Sequence, residues 1–267
     1  MSEAVRGYFS PTAMASYDQI FGAVSKRIVQ TLLLKANIRS GQRVLDIATG
    51  TGIAAEAAAG IVGPAGKVFA ADISPAMIEL ARRRVSHLAM VACAVQDGQA
   101  LEFPDEDFDV VLCNMAFMLF PDPAKGLAEF HRVLRPGGCA AISVNTVSDR
   151  SFITRVATAI GRYEPSTAAI AAQYFSLGDA SRLSVLFGSA GFTVSIHYEM
   201  FKVTVTSFAT YFQPIEAGFG DMGARYTSLT PDLRHKVRED IRRELGSVAD
   251  HDPVDVPVEV ILAVGTK

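Results

Sequence analysis

Short apolar runs alternate with helical patterns along the first half of the chain. Five of these runs predict buried strands, at residues 43–47, 67–71, 90–95, 108–114 and 139–145. The segments between them carry alanine-rich or three- to four-residue apolar spacing, which is typical of amphipathic helices. Strands that are apolar on both faces and alternate with helices predict a parallel sheet covered by helices on both sides.

This regular alternation ends after residue 146. Residues 149–176 and 207–246 carry mostly helical patterns, and we expect them to form a cap over the carboxyl edge of the sheet. Two further strands are predicted at residues 192–199 and 256–265. The sequence therefore predicts an α/β fold with a doubly wound, mostly parallel, seven-stranded sheet and a helical cap.

Composition narrows the class of protein without identifying it. The chain has 267 residues, of which 49% are hydrophobic and 20% charged, as in an ordinary globular protein. A net charge of -3 favours neither nucleic acid nor an anionic membrane as a partner. No run of about 18 apolar residues and no signal-peptide pattern is found, so we expect a soluble, cytoplasmic protein.

The three cysteines predict neither a metal site nor a disulfide. They are widely spaced and no C-x-x-C pair occurs. Cys113 and Cys139 stand in apolar runs, where a cysteine is usually a small buried hydrophobic residue. We therefore expect no bound metal.

The most informative segment is VLDIATGTGIAAEAA, residues 44–58. Counted from Gly50, G-T-G-I-A-A fits the G-x-G-x-x-A pattern of dinucleotide-binding loops. Counted from Asp46, D-I-A-T-G-T-G fits the glycine-rich loop that holds S-adenosylmethionine (SAM). Either pattern places a nucleoside-bearing ligand at a helix N-terminus. Asp72, which ends the second strand, suits the ribose of both ligands.

Three other features favour SAM over a nicotinamide cofactor. Asp46 precedes the glycines, where its carboxylate would repel a pyrophosphate but attract an ammonium or sulfonium group. Asp97 follows the third strand, where it can accept a hydrogen bond from the adenine amine. The Y-x-x-x-K spacing of Tyr198 and Lys202 lies in a strand-like segment, where it does not place both side chains on one helix face. We interpret that spacing as chance.

Four segments together carry a resemblance to a known family: VLDIATGTG, VFAADISPAMIELARRR, QDGQALEFPDEDFDVVLCN and FHRVLRPGG. In this order, over residues 43–145, the chain resembles class I SAM-dependent methyltransferases of the type 11 small-molecule group, similar to ubiquinone/menaquinone C-methyltransferases. The resemblance implies a Rossmann-like methyltransferase fold with SAM as cofactor and S-adenosylhomocysteine (SAH) as product. Three parts of the family pattern differ here. Ala48 replaces a glycine, Gln96-Asp97-Gly98-Gln99 replaces the usual Gly-Asp-Ala-Glu while keeping Asp97, and Phe117 and Met118 replace a frequent histidine pair.

The resemblance also implies roles for individual residues. Asp46 would hold the ammonium group of the cofactor, Asp72 would bind its ribose, and Tyr17 would close over it. Tyr17 belongs to an N-terminal helical segment, residues 1–38, that precedes the SAM-binding domain of residues 39–267. The expected cofactor-binding residues are Tyr17, Asp46, Ala48, Thr49, Gly50, Gly52, Asp72, Ile73, Met77, Asp97, Gly98, Asn114 and Met115.

The acceptor side of the site is predicted to be aromatic with a few polar groups, which suits a small, partly apolar metabolite. The candidate substrate-binding residues are Phe117, Asn145, Tyr174 and Tyr211. No histidine stands out as a general base: His131 is expected to be structural and His235 solvated. We therefore assign no catalytic residue, and expect proximity and desolvation to drive methyl transfer.

Two other function classes stay open at this stage. One is a SAM-binding protein of the same fold that does not methylate, such as a cyclase or a sensor. The other, less favoured, is a nicotinamide-dependent oxidoreductase. Both a monomer and a homodimer are compatible with the sequence.

Overall fold

The structure is a computed structural model that describes residues 11–146, 150–218 and 220–267, with side chains undescribed at 11–21, 152–153 and 220. Its strands are β1 (Arg43–Ile47), β2 (Lys67–Asp72), β3 (Val91–Val95), β4 (Phe108–Asn114), β5 (Leu134–Asn145), β6 (Thr193–Val205) and β7 (Val254–Thr266). Its α-helices are α1 (Pro11–Lys35), α2 (Ile53–Val62), α3 (Pro75–Arg84), α4 (Pro123–Val133), α5 (Phe152–Gly161), α6 (Pro165–Tyr174), α7 (Ala180–Ser189), α8 (Phe208–Glu216), α9 (Gly220–Ser228) and α10 (Pro231–Leu245). Short 3₁₀ helices cover Phe117–Leu119 and Gly246–Asp250.

The seven strands form one sheet in the order β3-β2-β1-β4-β5-β7-β6. Strands β1 to β5 pair in parallel. The β7 strand runs antiparallel to β5. Two hydrogen bonds show this direction: Gly138 accepts from the N–H of Lys267, and Thr146 donates to the carbonyl of Glu259. The predicted doubly wound, mostly parallel sheet is confirmed. Strand order reverses between β1 and β4, and in such sheets ligands bind beyond the carboxyl ends of the strands at that point.

The centre of the sheet forms the core, because parallel strands are covered on both faces. Val44 and Leu45 of β1 and Val111 and Leu112 of β4 are fully buried. Helix α3 begins at Pro75, and the preceding Ser74 accepts a hydrogen bond from the N–H of Met77. Pre-formed helix caps of this kind fix where each helix leaves the sheet edge.

Strands β5 and β6 differ most from their predicted bounds, and α1 is a single long helix. Helix α1 is continuous from Pro11 to Lys35, because Gly22 lowers helix propensity without ending the helix. Strand β5 begins at Leu134 rather than Cys139, since Leu134 pairs with Phe108 ahead of an irregularity in the ladder. Strand β6 extends to Val205, and its burial pattern keeps alternating beyond the predicted end.

The chain divides into two compact units. The sheet unit consists of Ser25–Val144, Leu177–Glu199 and Val260–Lys267, and the helical unit consists of Met1–Val24, Asn145–Ser176 and Met200–Glu259. Both predicted helical stretches thus belong to the helical unit. Their position over the sheet stays a prediction.

The helical unit has a hydrophobic core of its own. Tyr211, Phe212 and Ile215 of α8 pack there with Val237 and Ile241 of α10. No helix within the described residues combines the length and the apolar character needed to cross a membrane.

Candidate functional site

The loop after β1 is built from backbone in the left-handed region. Ala48, Gly50 and Gly52 have φ values of 54°, 57° and 86°. A Cβ added to Gly50 would meet nothing within 4 Å, so this part of the loop faces open space. A Cβ added to Gly52 would lie 3.2 Å from Ala81 of α3, so Gly52 allows α2 and α3 to approach closely. Gly50 is therefore the glycine that leaves room for a ligand.

Asp46, the fourth residue of β1, is fully buried beneath this loop. Its Oδ2 accepts a hydrogen bond of 2.5 Å from the hydroxyl of Thr49. Its Oδ1 has no hydrogen-bond partner of normal geometry among the described residues. Burial raises the pKa of Asp46 to about 7, against the opposing effects of the Thr49 hydroxyl and the nearby N–H of Ala55. A buried carboxyl group with unused acceptor capacity is a natural counter-charge for a cation.

Asp72, at the carboxyl end of β2, links the loop to the start of α3. Its Oδ2 accepts from the N–H of Gly50 at 3.0 Å, and its Oδ1 accepts from the N–H of Ser74 at 2.9 Å. Burial raises the pKa of Asp72, while the N–H groups of Ser74 and Gly50 act in the opposite direction. Each carboxylate oxygen can accept a second hydrogen bond, so two fixed acceptors remain available for neighbouring hydroxyls.

Ile73 and Met77 form an apolar surface beside Asp72. The side chain of Ile73 is 69% exposed, which is unusual for an isoleucine directly after a buried strand. Met77, in the first turn of α3, is half-buried. The two side chains are thus available for a flat apolar ligand group next to the Asp72 carboxylate.

The turn after β3 contains Asp97 and Gly98. Asp97 accepts a hydrogen bond from the N–H of Gln99 at 2.9 Å, which shapes the turn. A Cβ on Gly98 would lie 2.7 Å from the ring of Phe120 and 2.9 Å from Ile47, so the turn packs tightly there. Gly98 therefore serves packing, and its predicted contact with the cofactor stays a prediction.

Asn114 ends β4, and both ends of its side-chain amide are hydrogen-bonded within the protein. Its Nδ2 donates to Ser25 of α1 at 2.9 Å, and its Oδ1 accepts from Ser143 of β5 at 2.8 Å. Met115, which follows, has a left-handed φ of 55° and donates its N–H to the Ser143 hydroxyl at 2.9 Å. The backbone contact of Asn114 with the cofactor, which the resemblance implied, stays a prediction.

Phe117 is the first of the predicted substrate-binding residues, and its placement does not favour that role. The ring is fully buried and packs with Phe120 and Phe130 at centroid distances of 5.1 and 5.8 Å. Phe117 is an apolar side chain that follows the buried end of β4, and it is packed entirely within the core.

Asn145 and Tyr174 meet inside the helical unit. Asn145 is fully buried; its Nδ2 donates to the carbonyl of Tyr174 at 3.2 Å and its Oδ1 accepts from Ser151 at 2.8 Å. These bonds fix α5 and α6 to the end of β5. Burial raises the pKa of Tyr174 to about 12, so its hydroxyl is neutral at physiological pH.

Tyr211 lies in the core of the helical unit, with only 1% of its surface exposed. Its hydroxyl accepts a hydrogen bond from Arg155 at 3.0 Å. This burial places Tyr211 among the packing residues of α8, and its predicted substrate contact stays a prediction. The side chain of Tyr17 lies outside the described residues.

Other chemistry-bearing side chains have structural surroundings. His131 packs edge-on against Phe192, and burial and Lys267 lower its pKa, while His235 is exposed. Burial raises the pKa of Cys139 to about 11, as for a buried thiol. No group of three or more His, Cys, Asp or Glu residues within 11–146, 150–218 and 220–267 is arranged to hold a metal ion.

Sequence reasoning did not single out Arg84, at the end of α3. Its Nε donates to the carbonyl of Thr51, inside the glycine-rich loop, at 2.7 Å. The segment Arg82–Arg84 has the composition of a solvated helix end. No pattern in the sequence distinguishes the one arginine of the three that turns inward.

The comparison with protein families points to the same part of the chain. Residues 44–138 match the family described as "Methyltransferase domain". This segment carries Asp46, Asp72, Asp97 and Asn114, the residues at the carboxyl ends of four neighbouring strands. The match covers well under half of the chain.

A curated relative gives the same indication. "Ubiquinone/menaquinone biosynthesis C-methyltransferase UbiE" of Cupriavidus metallidurans is 39% identical over 107 residues, covering 40% of this chain and 44% of the relative. The chain spans about half the length of the curated relatives it matches. The predicted resemblance to class I SAM-dependent methyltransferases, of the kind that includes these C-methyltransferases, is confirmed.

Solved structures show the fold over most of the chain. The YcgJ protein from Bacillus subtilis superposes with a TM-score of 0.61 at 17% identity, covering 90% of this chain and 98% of that one. A Haemonchus contortus phosphoethanolamine N-methyltransferase, solved with SAH, gives a TM-score of 0.57 at 20% identity, covering 90% of this chain and 52% of that one. At such identities the likeness establishes the Rossmann-like methyltransferase fold.

Proposed function

We propose that this protein is a SAM-dependent methyltransferase that methylates a small, partly apolar acceptor. The observation that carries the proposal is the pairing of a buried, under-used carboxyl group at Asp46 with open space at Gly50. The family match to methyltransferase domains covers the same residues and supports the proposal.

The residues present fit SAM better than they fit an anionic cofactor. The Asp46 Oδ1 lacks a partner of normal geometry among the described residues, and a cationic ligand would supply one directly or through water. The open side of Gly50 leaves room for a ligand chain. When bound, SAM would supply a methyl group made electrophilic by its positive sulfur.

Each side chain has a distinct task in this proposal. Thr49 fixes the orientation of the Asp46 carboxylate, which neutralises the positive charge of the ligand. Asp72 keeps its two oxygens in place through Gly50 and Ser74, and accepts hydrogen bonds from ribose hydroxyls. Ile73 and Met77 cover the adenine base. The site therefore binds and orients, which is the main requirement for an in-line displacement.

The acceptor is proposed to be a small aromatic or quinol-type metabolite. The curated relatives are named for ubiquinone, menaquinone and demethylmenaquinone, which are apolar ring compounds. No described histidine has the surroundings of a general base for such a substrate. An acceptor that is already nucleophilic would then react through proximity in a water-poor site, and release its proton to solvent.

Sheet topology and charge both argue against a nicotinamide cofactor. The dinucleotide-binding fold has the strand order 3-2-1-4-5-6. Here β7 is inserted antiparallel between β5 and β6. A buried acid at Asp46, below the loop, would also repel a pyrophosphate.

Calorimetric titration with SAH, with NADH as the control ligand, tests the cofactor. We expect SAH to bind and NADH to give no heat. Labelled SAM is then incubated with phenols, quinols, amines and small acids. Binding of NADH alone would overturn the proposal, and labelling of RNA or protein instead of small molecules would overturn the acceptor class. SAH binding without transfer to any acceptor would instead favour a non-methylating protein of this fold.

A further inference from the structure

The three consecutive arginines that end α3 have different surroundings. Arg83 is exposed and lies 3.5 Å from Glu79 on its own helix. Arg82 donates to the carbonyl of Cys93 at 3.2 Å. Arg84 turns inward, with 19% of its side chain exposed, and donates its Nε to the carbonyl of Thr51 at 2.7 Å. Only Arg84, of these three, reaches the glycine-rich loop in the bonds described.

Thr51 is the residue of the glycine-rich loop that Arg84 contacts. It is 5% exposed and stands between Gly50 and Gly52, both of which have left-handed backbone. Glycines sample many conformations in the absence of other contacts. A charge-assisted hydrogen bond to the carbonyl between them removes much of that freedom. The bond from Arg84 to the Thr51 carbonyl therefore ties the glycine-rich loop to the end of α3.

Helix α3 connects the two ends of this arrangement. Asp72 accepts from both Gly50 and Ser74, and so joins the loop to the start of α3. Ala81 packs against Gly52, and Arg84 joins the end of α3 to Thr51. The ribose-binding acid and the loop are therefore attached to one rigid helix.

The ion pair that Arg84 forms is the weaker of its two described contacts. Its Nη1 lies 3.4 Å from Glu56, and the two side chains are 19% and 36% exposed. Pairs as exposed as this contribute little. Glu56 orients the guanidinium, and the hydrogen bond to the Thr51 carbonyl carries the effect on the loop.

We propose that Arg84 is a positioning residue for the cofactor, which holds the glycine-rich loop in its ligand-binding conformation through the Thr51 carbonyl. This inference rests on the proposed function, because it takes SAM as the ligand of the loop. Arg84 acts through the loop, by its hydrogen bond to the Thr51 carbonyl.

Hydrogen exchange of the loop tests the inference in the protein without ligand. Residues 48–55 are compared in the wild type, Arg84→Gln, Arg84→Lys and the matched control Arg83→Gln. We expect Arg84→Gln to exchange about tenfold faster over this segment, because local opening is easier once the bond is lost. Arg84→Lys keeps a cationic donor and should stay near the wild-type rate. Equal exchange in Arg84→Gln and Arg83→Gln would overturn the proposal.

Affinity for two ligands separates positioning from general destabilisation. SAH carries the methionine part that would face the loop, and adenosine lacks it. We expect Arg84→Gln to bind SAH about tenfold more weakly, since a charged hydrogen bond accounts for a factor of that size. Adenosine affinity should fall clearly less, and Arg84→Lys should recover most of the SAH affinity.

The outcomes distinguish failure of this inference from failure of the proposed function. Equal SAH affinity in Arg84→Gln and Arg83→Gln overturns the role of Arg84. An equal loss for SAH and adenosine, with no recovery in Arg84→Lys, also overturns it, because that is the result of a structural defect. A wild type that binds no SAH overturns the proposed function, and hydrogen exchange alone then decides whether Arg84 holds the loop.

Discussion

Two buried polar residues in central strands of the same sheet, Asp46 in β1 and Asn145 in β5, differ in how much hydrogen-bonding capacity the protein uses. Asn145 donates to Tyr174 and accepts from Ser151, so both ends of its amide are engaged within the helical unit. Asp46 accepts from Thr49 and has the N–H of Ala55 nearby, and its Oδ1 has no partner of normal geometry in the described part of the sheet unit.

This difference indicates which buried polar groups are candidates for binding a ligand. A buried polar group is normally paired, because leaving it unpaired destabilises the fold. Asn145 meets that rule by linking helices, which is a structural role. Asp46 departs from it at the edge where ligands bind in this fold class. We therefore expect changes near Asp46 to act on ligand binding, and changes at Asn145 to act on stability.

Of the effects on ligand affinity, that of Asp72→Ala should be the largest. We expect SAH affinity to fall by about 1.5–3 kcal/mol, because charge-assisted hydrogen bonds to ribose and to the N–H of Gly50 are both lost. Isothermal titration calorimetry measures it. The matched control is Asp179→Ala, which removes a helix-capping acid of α7 away from the loop. Equal SAH binding in the wild type and Asp72→Ala would show that the acid is misassigned.

Asn145→Ala should mainly destabilise the protein. The carbonyl of Tyr174 and the hydroxyl of Ser151 would each lose a buried partner, which corresponds to about 2 kcal/mol. Urea unfolding followed by circular dichroism measures the free energy of unfolding. The contrast with Asp46 would break down if this variant kept its stability and lost only activity on an acceptor.

Asp46 should give stability a distinctive pH dependence. Its pKa is 3.8 in the reference state and about 7 in the folded protein. Between those values the folded state holds a proton that the unfolded state has released. The contribution to stability therefore falls as the pH rises from about 4 to about 7, by at most about 1.4 kcal/mol per pH unit.

Asp46→Asn isolates this contribution. Unfolding of the wild type and the variant is compared from pH 5 to 8, and the difference between the two curves is the signal. We expect Asp46→Asn to lack the part of the slope that Asp46 contributes, while the part that comes from Asp72 remains. SAM affinity in the wild type should rise over the same range, because the ionised carboxyl group attracts a cation. Parallel stability curves for the two proteins would contradict the assignment.

The smallest expected effect is that of Ala48→Gly. Ala48 has a φ of 54°, a region that disfavours residues with a Cβ. Glycine removes that strain but adds freedom to the unfolded chain, so we expect a net gain of about 0.5–1 kcal/mol. Ala57→Gly, in the middle of α2, is the control and should lose about 1 kcal/mol. A loss in both variants would mean that the loop does not strain Ala48.

Much of the fold could be predicted because its signals are local. Apolar runs marked the strands, and Ser74, Asp179 and Thr230, which are residue types that favour the N-cap, begin helices in the structure. The ends of strands were predicted less well where pairing with a neighbouring strand determines them. Leu134 joins β5 because it pairs with Phe108, which is 26 residues earlier in the chain. No local pattern carries that information.

From the sequence, only those parts of the candidate site that belong to recognisable backbone motifs could be predicted. The loop and its acids follow from spacing, and they lie at the expected strand ends. The aromatic residues could not be sorted into core and ligand positions from the sequence. Phe117 packs in the core against Phe130. The contact of Arg84 with the loop depends on which face of α3 the residue occupies.

The placement of β7 has a consequence for how the chain folds. It is the last strand in chain order, yet it lies between β5 and β6 and not at an edge of the sheet. Because β6 pairs with β7 and not with β5, it can join the sheet only after β7 has paired with β5. Contacts between residues so distant in sequence, such as Gly138 and Lys267, form slowly. During synthesis, β5 would therefore remain an unpaired edge of the sheet until β7 has left the ribosome.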